Sequence, residues 1–442
     1  MTKSNGRHGG DAARGTNQRA LRPATMMMGH GFDPALSEGA LKPPIFLTST
    51  FAFESAAAGK RHFETLLGKR SGDRGLVYSR FNGPNQEILE DRLRLWEGAE
   101  AALSFSSGMS AITSLMMTYV HPGDVVVHSG PLYGGTETLI RKLMADQAVT
   151  AVDFPARAGP DEIAEVLAHA AGLGPVTMIF LESPANPTNV LVDIEAVRET
   201  CDRIFAADKR PVIAIDNTFL GPLWAKPLAS GADISIYSLT KYVGGHSDLV
   251  GGALVGPSRL LEPVRSVRNV IGTIIDPHTA WMLLRSLETL ELRMTRAGEN
   301  AERLCNALLR NPNVEQISYL GFAEGQQADV YRRHCTGAGS TFSLYVAGGE
   351  EEAFAFLDAL EIAKLAVSLG GTESLASAPA AMTHLGVPAD RRLELGIKDN
   401  LVRVSVGIED PDDLISDFEQ ALAVSGEVRR KSPRRELEAQ HS

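Results

Sequence analysis

A chain of 442 residues with 44% hydrophobic and 22% charged side chains can bury a large core as two or three units and has the balance of a soluble globular protein. Its formal net charge of −11 argues against a nucleic acid or an anionic membrane as its main partner, and no apolar run reaches the ~20 residues a membrane helix requires. Cys201, Cys305 and Cys335 lie far apart without CxxC or Cys/His ligand spacing, which excludes a disulfide framework or a zinc site and fits reduced thiols in the cytoplasm.

Residues 1–25 are basic and Gly-rich without an apolar core, so they predict a disordered arm and not a secretory signal; Asp11 and the lack of an amphipathic run weigh against a transit peptide. Residues 26–85 carry short apolar pieces broken by Pro43 and Pro44, and the Gly/Arg/Lys-rich stretch 68–75 predicts a mobile loop. From Gln86 the pattern changes. A helix is expected over 86–97, and β-branched runs then recur between helical stretches at Val125–His128, Val149–Phe154, Val176–Leu181, Pro211–Ile215, Ile234–Ser238 and Gly252–Val255. Strands alternating with helices predict an α/β domain over 86–290 with a mostly parallel sheet, in which ligands bind beyond the carboxyl ends of the strands. Glu182, Asp216 and Lys241 each follow one of these runs and are expected on one rim. A long helical stretch over 278–309 leads into a smaller α+β domain, 291–425, with strands at Thr341–Val346, Leu365–Ser368 and Leu401–Val406 and helices at 350–361 and 411–424. The charged tail 426–442 is expected to be disordered, and no internal repeat is visible.

Lys241 ends the run DISIYSLTKYVGGH, where burial would lower the amine pKa and free its lone pair for carbonyl chemistry; the plainer reading is a lysine snorkelling from a strand end. Ser107, Gly108 and Met109, in SFSSGMSAI, place hydroxyls and backbone N–H groups at a helix start, which suits a phosphate but also an ordinary N-cap. No GKS or GKT follows, so this is not a Walker loop. Asp216 opens a DNT turn, either as an Asx turn or as the partner of a protonated ring nitrogen. Tyr133 is a core aromatic or a platform for a flat ring, and Arg403 faces solvent from its strand or captures a carboxylate. A phosphate cradle, a carboxylate, a stacking aromatic and an imine-forming lysine together describe the needs of pyridoxal 5'-phosphate (PLP).

Several ordered motifs carry a family resemblance. DISIYSLTKYVGGHSD, YSR at 78–80, SSGM at 106–109, YGG at 133–135, ESPANP at 182–187, DNT at 216–218, SLGGTES at 368–374, MTH at 382–384 and LVRVSVGIED at 401–410 resemble the Cys/Met-metabolism PLP enzymes over about residues 40–425. That family includes cystathionine γ-synthase, cystathionine β- and γ-lyases, methionine γ-lyase and the O-acylhomoserine sulfhydrylases. The resemblance implies the type I PLP-dependent transferase fold, similar to aspartate aminotransferase. It further implies that Lys241 holds PLP through an imine and shuttles protons, that Asp216 with Thr218 beside it keeps the ring nitrogen protonated, and that Tyr133 stacks on the ring. Ser107, Gly108, Met109, Ser238 and Thr240 would hold the phosphate, and Asn186 would lie near the ring's phenolic oxygen. Ser368 and Arg403 would fix the substrate carboxylate. Tyr78 and Arg80 would reach the phosphate of a neighbouring subunit, as in homotetramers built from site-sharing dimers.

The departures from the family pattern concern specificity. YSRFNGPN replaces the usual Asn and Thr of YSRxxNPT with Gly83 and Asn85. Gly135 stands where typical methionine γ-lyases carry a cysteine, and Ser377 where cystathionine γ-lyases often carry a glutamate. The resemblance therefore implies γ-replacement or γ-elimination on homoserine- or homocysteine-derived amino acids. Replacement, as in cystathionine γ-synthase, comes first, methionine γ-lyase chemistry second and cystathionine β-/γ-lyase chemistry third. A dinucleotide-binding oxidoreductase would share the coarse pattern, but no GxGxxG follows an early strand. Intact Lys241 and Asp216 argue against a non-catalytic binding module.

Overall fold

The computed structural model describes residues 21–72 and 75–439. Seven strands form the main sheet: β1 (Ala101–Phe105), β2 (Val125–Gly130), β3 (Thr150–Pro155), β4 (Val176–Glu182), β5 (Val212–Asp216), β6 (Ile234–Ser238) and β7 (Gly252–Gly256). They lie in the order β1-β7-β6-β5-β4-β2-β3; β6 to β3 pair in parallel, whereas β7 and β1 join antiparallel. Alternation along β4 explains the two covered faces. Met178 and Phe180 pack with the helices Gly108–Tyr119 and Ser258–Ile271, while Ile179 and Leu181 pack with Pro160–Leu173 and Ile194–Ile204. Because β4 and β5 run in register, Glu182 and Asp216 are direct neighbours at their carboxyl ends.

A second sheet of five strands contains β8 (Val314–Ser318), β9 (Thr341–Val346), β10 (Lys364–Leu365), β11 (Leu375–Ser377) and β12 (Leu401–Ser405), in the order β10-β11-β12-β9-β8. Phe342, Leu344, Val402 and Val404 bury one face of it against the helices Leu290–Leu308, Glu350–Ala359 and Pro411–Ala439.

Several expectations need correcting. β1, β8 and β11 have no counterpart among the predicted strands, because AALSF, VEQIS and LAS are short and carry small or polar residues, and pairing partners distant in sequence recruit them. The strand expected over Leu365–Ser368 shrinks to Lys364–Leu365, and the helical stretch 278–309 breaks at Glu288–Thr289 into Pro277–Leu287 and Leu290–Leu308. The tail expected to be unstructured from 426 continues the helix Pro411–Ala439; Ser425 hydrogen-bonds Glu352 O and Arg429 hydrogen-bonds Asn313. Of the expected disordered arm, residues 1–20 lie outside the described residues, and Pro23–Met26 form a helical turn. Residues 73 and 74 of the expected mobile loop also lie outside them. None of the described helices is long and apolar enough to cross a membrane.

Candidate active site

The carboxyl ends of β4, β5 and β6 open into a cavity of about 290 Å³. Lys241 stands in it because the chain turns sharply after β6: Lys241 N–H donates to Ser238 O at 3.1 Å and Gly244 N–H to Leu239 O at 2.8 Å. Its ammonium donates to Ser368 Oγ at 2.9 Å. Burial, and then the nearby Arg403 guanidinium, pull the Lys241 pKa down to about 8, against an opposing pull from Asp216. The amine is thus neutral far more often than an ordinary lysine's.

Asp216 ends β5, and its carboxylate accepts the Thr218 N–H at 3.0 Å, so the Asx-turn geometry is present. It also lines the cavity, so the turn aims the carboxylate inward. Burial raises its pKa, while the bonds from Thr218 and the charge of Lys241 oppose the rise. Glu182 is pushed well above the usual carboxylate range, by burial and then by Asp216. Two neighbouring buried carboxylates with one lysine nearby favour a cationic or proton-donating guest between them.

The cradle comes from the helix Gly108–Tyr119. Ser107 caps it, its Oγ accepting Ser110 N–H at 3.0 Å while Ser110 Oγ accepts Ser107 N–H at 3.0 Å. The Gly108 and Met109 N–H groups have no acceptor within the helix and sit at its positive end. Ser238 packs directly against Gly108, where an added Cβ would lie 3.1 Å from the Ser238 Cβ, and its N–H is held by Thr218 Oγ1 at 2.9 Å. The Thr240 hydroxyl is engaged with Gly251, donating to its carbonyl at 3.2 Å and accepting its N–H at 3.1 Å.

On the opposite wall, Arg403 belongs to β12 and is only 4% exposed, which overturns the reading of a solvent-facing side chain. It donates to Asn186 Oδ1 at 3.2 Å and to Ser368 O at 3.1 Å. Burial lowers its pKa to about 10, so it stays charged at neutral pH. Tyr133 lines the cavity as well and is 42% exposed, which rules out a core aromatic; its N–H donates to Glu182 at 2.6 Å.

Ser107, Gly108, Met109, Tyr133, Asn186, Asp216, Thr218, Ser238, Thr240, Lys241, Ser368 and Arg403 therefore share one cavity. Tyr78 and Arg80 do not join it: Arg80 donates to Asn269 O and lies over the Phe81 ring, 4.6 Å from its centroid. Ser377 does not line it either; it is buried opposite Arg403 on β11. Motif reading did not assign the walls formed by Phe219, Val250, Val367 and Thr383, although Thr383 belongs to the MTH motif. This donor set fits PLP: helix-end N–H groups and hydroxyls for a dianion, a buried carboxylate for a protonated ring nitrogen and an amine that gives up its proton more readily than an ordinary lysine.

Residues 24–423 match the Cys/Met metabolism PLP-dependent enzyme family. The chain is 37% identical over 405 residues to an L-methionine gamma-lyase of Pseudomonas putida, covering 91% of this chain and 97% of the relative. It is 36% identical over 406 residues to a cystathionine gamma-lyase of Bacillus subtilis, covering 91% and 99%. A cystathionine gamma synthase from Xanthomonas oryzae pv. oryzae, solved in complex with cystathionine, superposes with a TM-score of 0.83 at 32% identity over 92% of this chain and 99% of that one. The chain belongs to the Cys/Met-metabolism PLP-dependent enzymes, and pyridoxal 5'-phosphate is its cofactor.

Proposed function

We propose that this protein acts at Cγ of homoserine- or homocysteine-derived amino acids, replacing the γ-substituent with a thiol or eliminating it. The observation that carries this reading is the triangle of Lys241, Ser368 and Arg403. The amine lies 2.9 Å from Ser368 Oγ, and the guanidinium lies 3.1 Å from the carbonyl of the same residue. A carboxylate clamped by Arg403 would leave its Cα–H beside the one amine able to take the proton.

When bound, pyridoxal phosphate supplies the electron sink that stabilises negative charge at Cα. Asp216 would hold the proton of the ring nitrogen, while the first-turn N–H groups at Gly108 and Met109 and the Ser238 hydroxyl would take the phosphate. Lys241 removes the proton at Cα and returns it during the reaction. Tyr133, which lines the cavity, would offer its ring to the cofactor and its phenol to the substrate amine or leaving group. Tyr78 and Arg80 complete the phosphate site of a neighbouring subunit in a cytoplasmic homotetramer, a reading supported by their position outside this chain's cavity.

Replacement on an O-acylhomoserine is the first reading. Elimination from methionine is the second, favoured by the uncharged walls at Val250, Val367 and Thr383 and by the 37% identity to a methionine gamma-lyase. The purified protein should be yellow, and Lys241→Ala should lose the imine absorbance. Cystathionine formed from O-acylhomoserine and cysteine supports the first reading, and 2-oxobutanoate released from methionine the second. A colourless protein that takes up no PLP would end both.

A further inference from the structure

His384 sits in the segment between β11 and β12, 252 residues from the carbonyl it contacts. It is 1% exposed, and its Nε2 lies 3.2 Å from Leu132 O. A carbonyl only accepts, so Nε2 must carry the hydrogen. The other nitrogen, Nδ1, is then a lone pair that accepts the Thr383 hydroxyl at 3.0 Å. Burial, and then Arg403 among the nearby charges, pull the imidazole pKa down to about 4, which agrees with a neutral ring of this single tautomer.

Leu132 precedes Tyr133, and the same segment grips this turn at two further points. A Cβ on Gly134 would lie 2.4 Å from Thr383 O, so the two backbones meet more closely than any side chain permits. Leu395 lies against Gly130 at the end of β2, and beside the turn Arg391 ion-pairs with Asp153 of the neighbouring strand β3. From the inner side, Glu182 holds the Tyr133 N–H at 2.6 Å. The His384 bond to Leu132 O is a buried side-chain tie between the Tyr133 turn and the segment joining β11 to β12.

We propose that His384 is a positioning residue for Tyr133: by donating to Leu132 O it clasps the small-domain segment 379–396 onto the turn 130–135 and fixes where the Tyr133 ring stands in the cavity. The consequence for turnover rests on the function proposed above; the clasp itself does not. Loss of the bond leaves Leu132 O buried without a donor and lets the turn relax, which misplaces a ring that must lie flat against the cofactor.

Two measurements test this. Hydrogen exchange of amides 132–138 in the full-length purified protein should quicken about tenfold in His384→Leu, and it should return to the native rate in His384→Gln, whose amide donates from the position of Nε2. Should His384→Leu fail to fold, His384→Asn serves in its place, since its amide reaches only as far as Nδ1. Unchanged exchange in the Leu or Asn variant, or equally fast exchange in the Gln variant, overturns the clasp. In turnover, His384→Leu should lower kcat about tenfold with KM little changed, and adding it to Tyr133→Ala, which has no ring left to place, should slow the enzyme less than about twofold further. Fully additive losses overturn the link to Tyr133. A protein that neither binds PLP nor turns over would refute the proposed function, and the exchange comparison would still decide the clasp.

Discussion

Lys241 carries two opposing electrostatic influences, and their balance sets when its lone pair is available. Burial and then Arg403 bring its pKa from the ordinary 10.5 to about 8, while Asp216 works against them. Only the neutral amine attacks an aldehyde, so PLP uptake by the apoenzyme should accelerate as pH rises and level off above about 8. Replacing Arg403 with alanine removes a cation and must move that midpoint upward; Asp216→Asn removes an anion and must move it downward. Stopped-flow uptake across pH reads both, and a midpoint that stays put in Arg403→Ala would refute the coupling. Arg403 also has a direct role to test. Its guanidinium is buried, so the amino-acid carboxylate it is proposed to bind has no water to replace it. Arg403→Ala should raise KM on the order of 100-fold while PLP remains bound. An unchanged KM would mean that the carboxylate binds elsewhere.

At the scale of elements, the turn after β6 decides whether Lys241 is held rigidly. Arg293, on the helix Leu290–Leu308, donates to the carbonyls of Tyr242 at 2.8 Å and Ser286 at 3.0 Å. Gly245 lies directly beneath it with φ of +70°, and a Cβ there would meet Arg293 Nη1 at 1.7 Å. Gly245→Ala should therefore cost about 1–3 kcal/mol. The urea midpoint should fall at unchanged slope, and a change within about 0.5 kcal/mol would mean that the turn tolerates the methyl group. This turn was legible in the chain because its signals are local: β-branched residues, Ser238, Thr240 and two glycines within one short run. The same holds for the DNT turn and for the strands β2 and β4 to β7, whose residues are buried on both faces. Arg403 was not legible, because alternation along LVRVSVGIE assumes one wet face, whereas the helix Pro411–Ala439 and the main domain cover both. Thr383 escaped for a related reason. Its closeness to Gly134 joins residues that only the packing of the two sheets brings together.

At the scale of the whole molecule, a single chain carries Tyr78 and Arg80, the two residues proposed to reach a phosphate, away from its own cavity. The YSRFN loop that bears Tyr78 and Arg80 is anchored from behind: Arg268 pairs with Glu90 at 2.7 Å and donates to Phe81 O at 3.3 Å, and Asn82 donates to Gly75 O at 2.9 Å. Burial would raise the Glu90 pKa, but Arg268 and Arg265 hold it down at about 2, so the anchor stays ionised at any physiological pH. Beside it, Tyr78 is 39% and Val270 is 82% exposed, a surface left open in one chain. An anchored loop ending in open surface suits presentation to a second subunit. Mixing tests this directly. Lys241→Ala lacks its own amine, and Arg80→Ala lacks the cation it would lend; each homodimer should be inactive or nearly so. After random subunit exchange, half of the dimers are mixed, and in each of these one site combines an intact Lys241 with an intact partner Arg80. Activity should rise to about one quarter of the native value. If Arg80 served its own chain's cavity, every mixed site would lack one of the two groups and exchange would restore nothing.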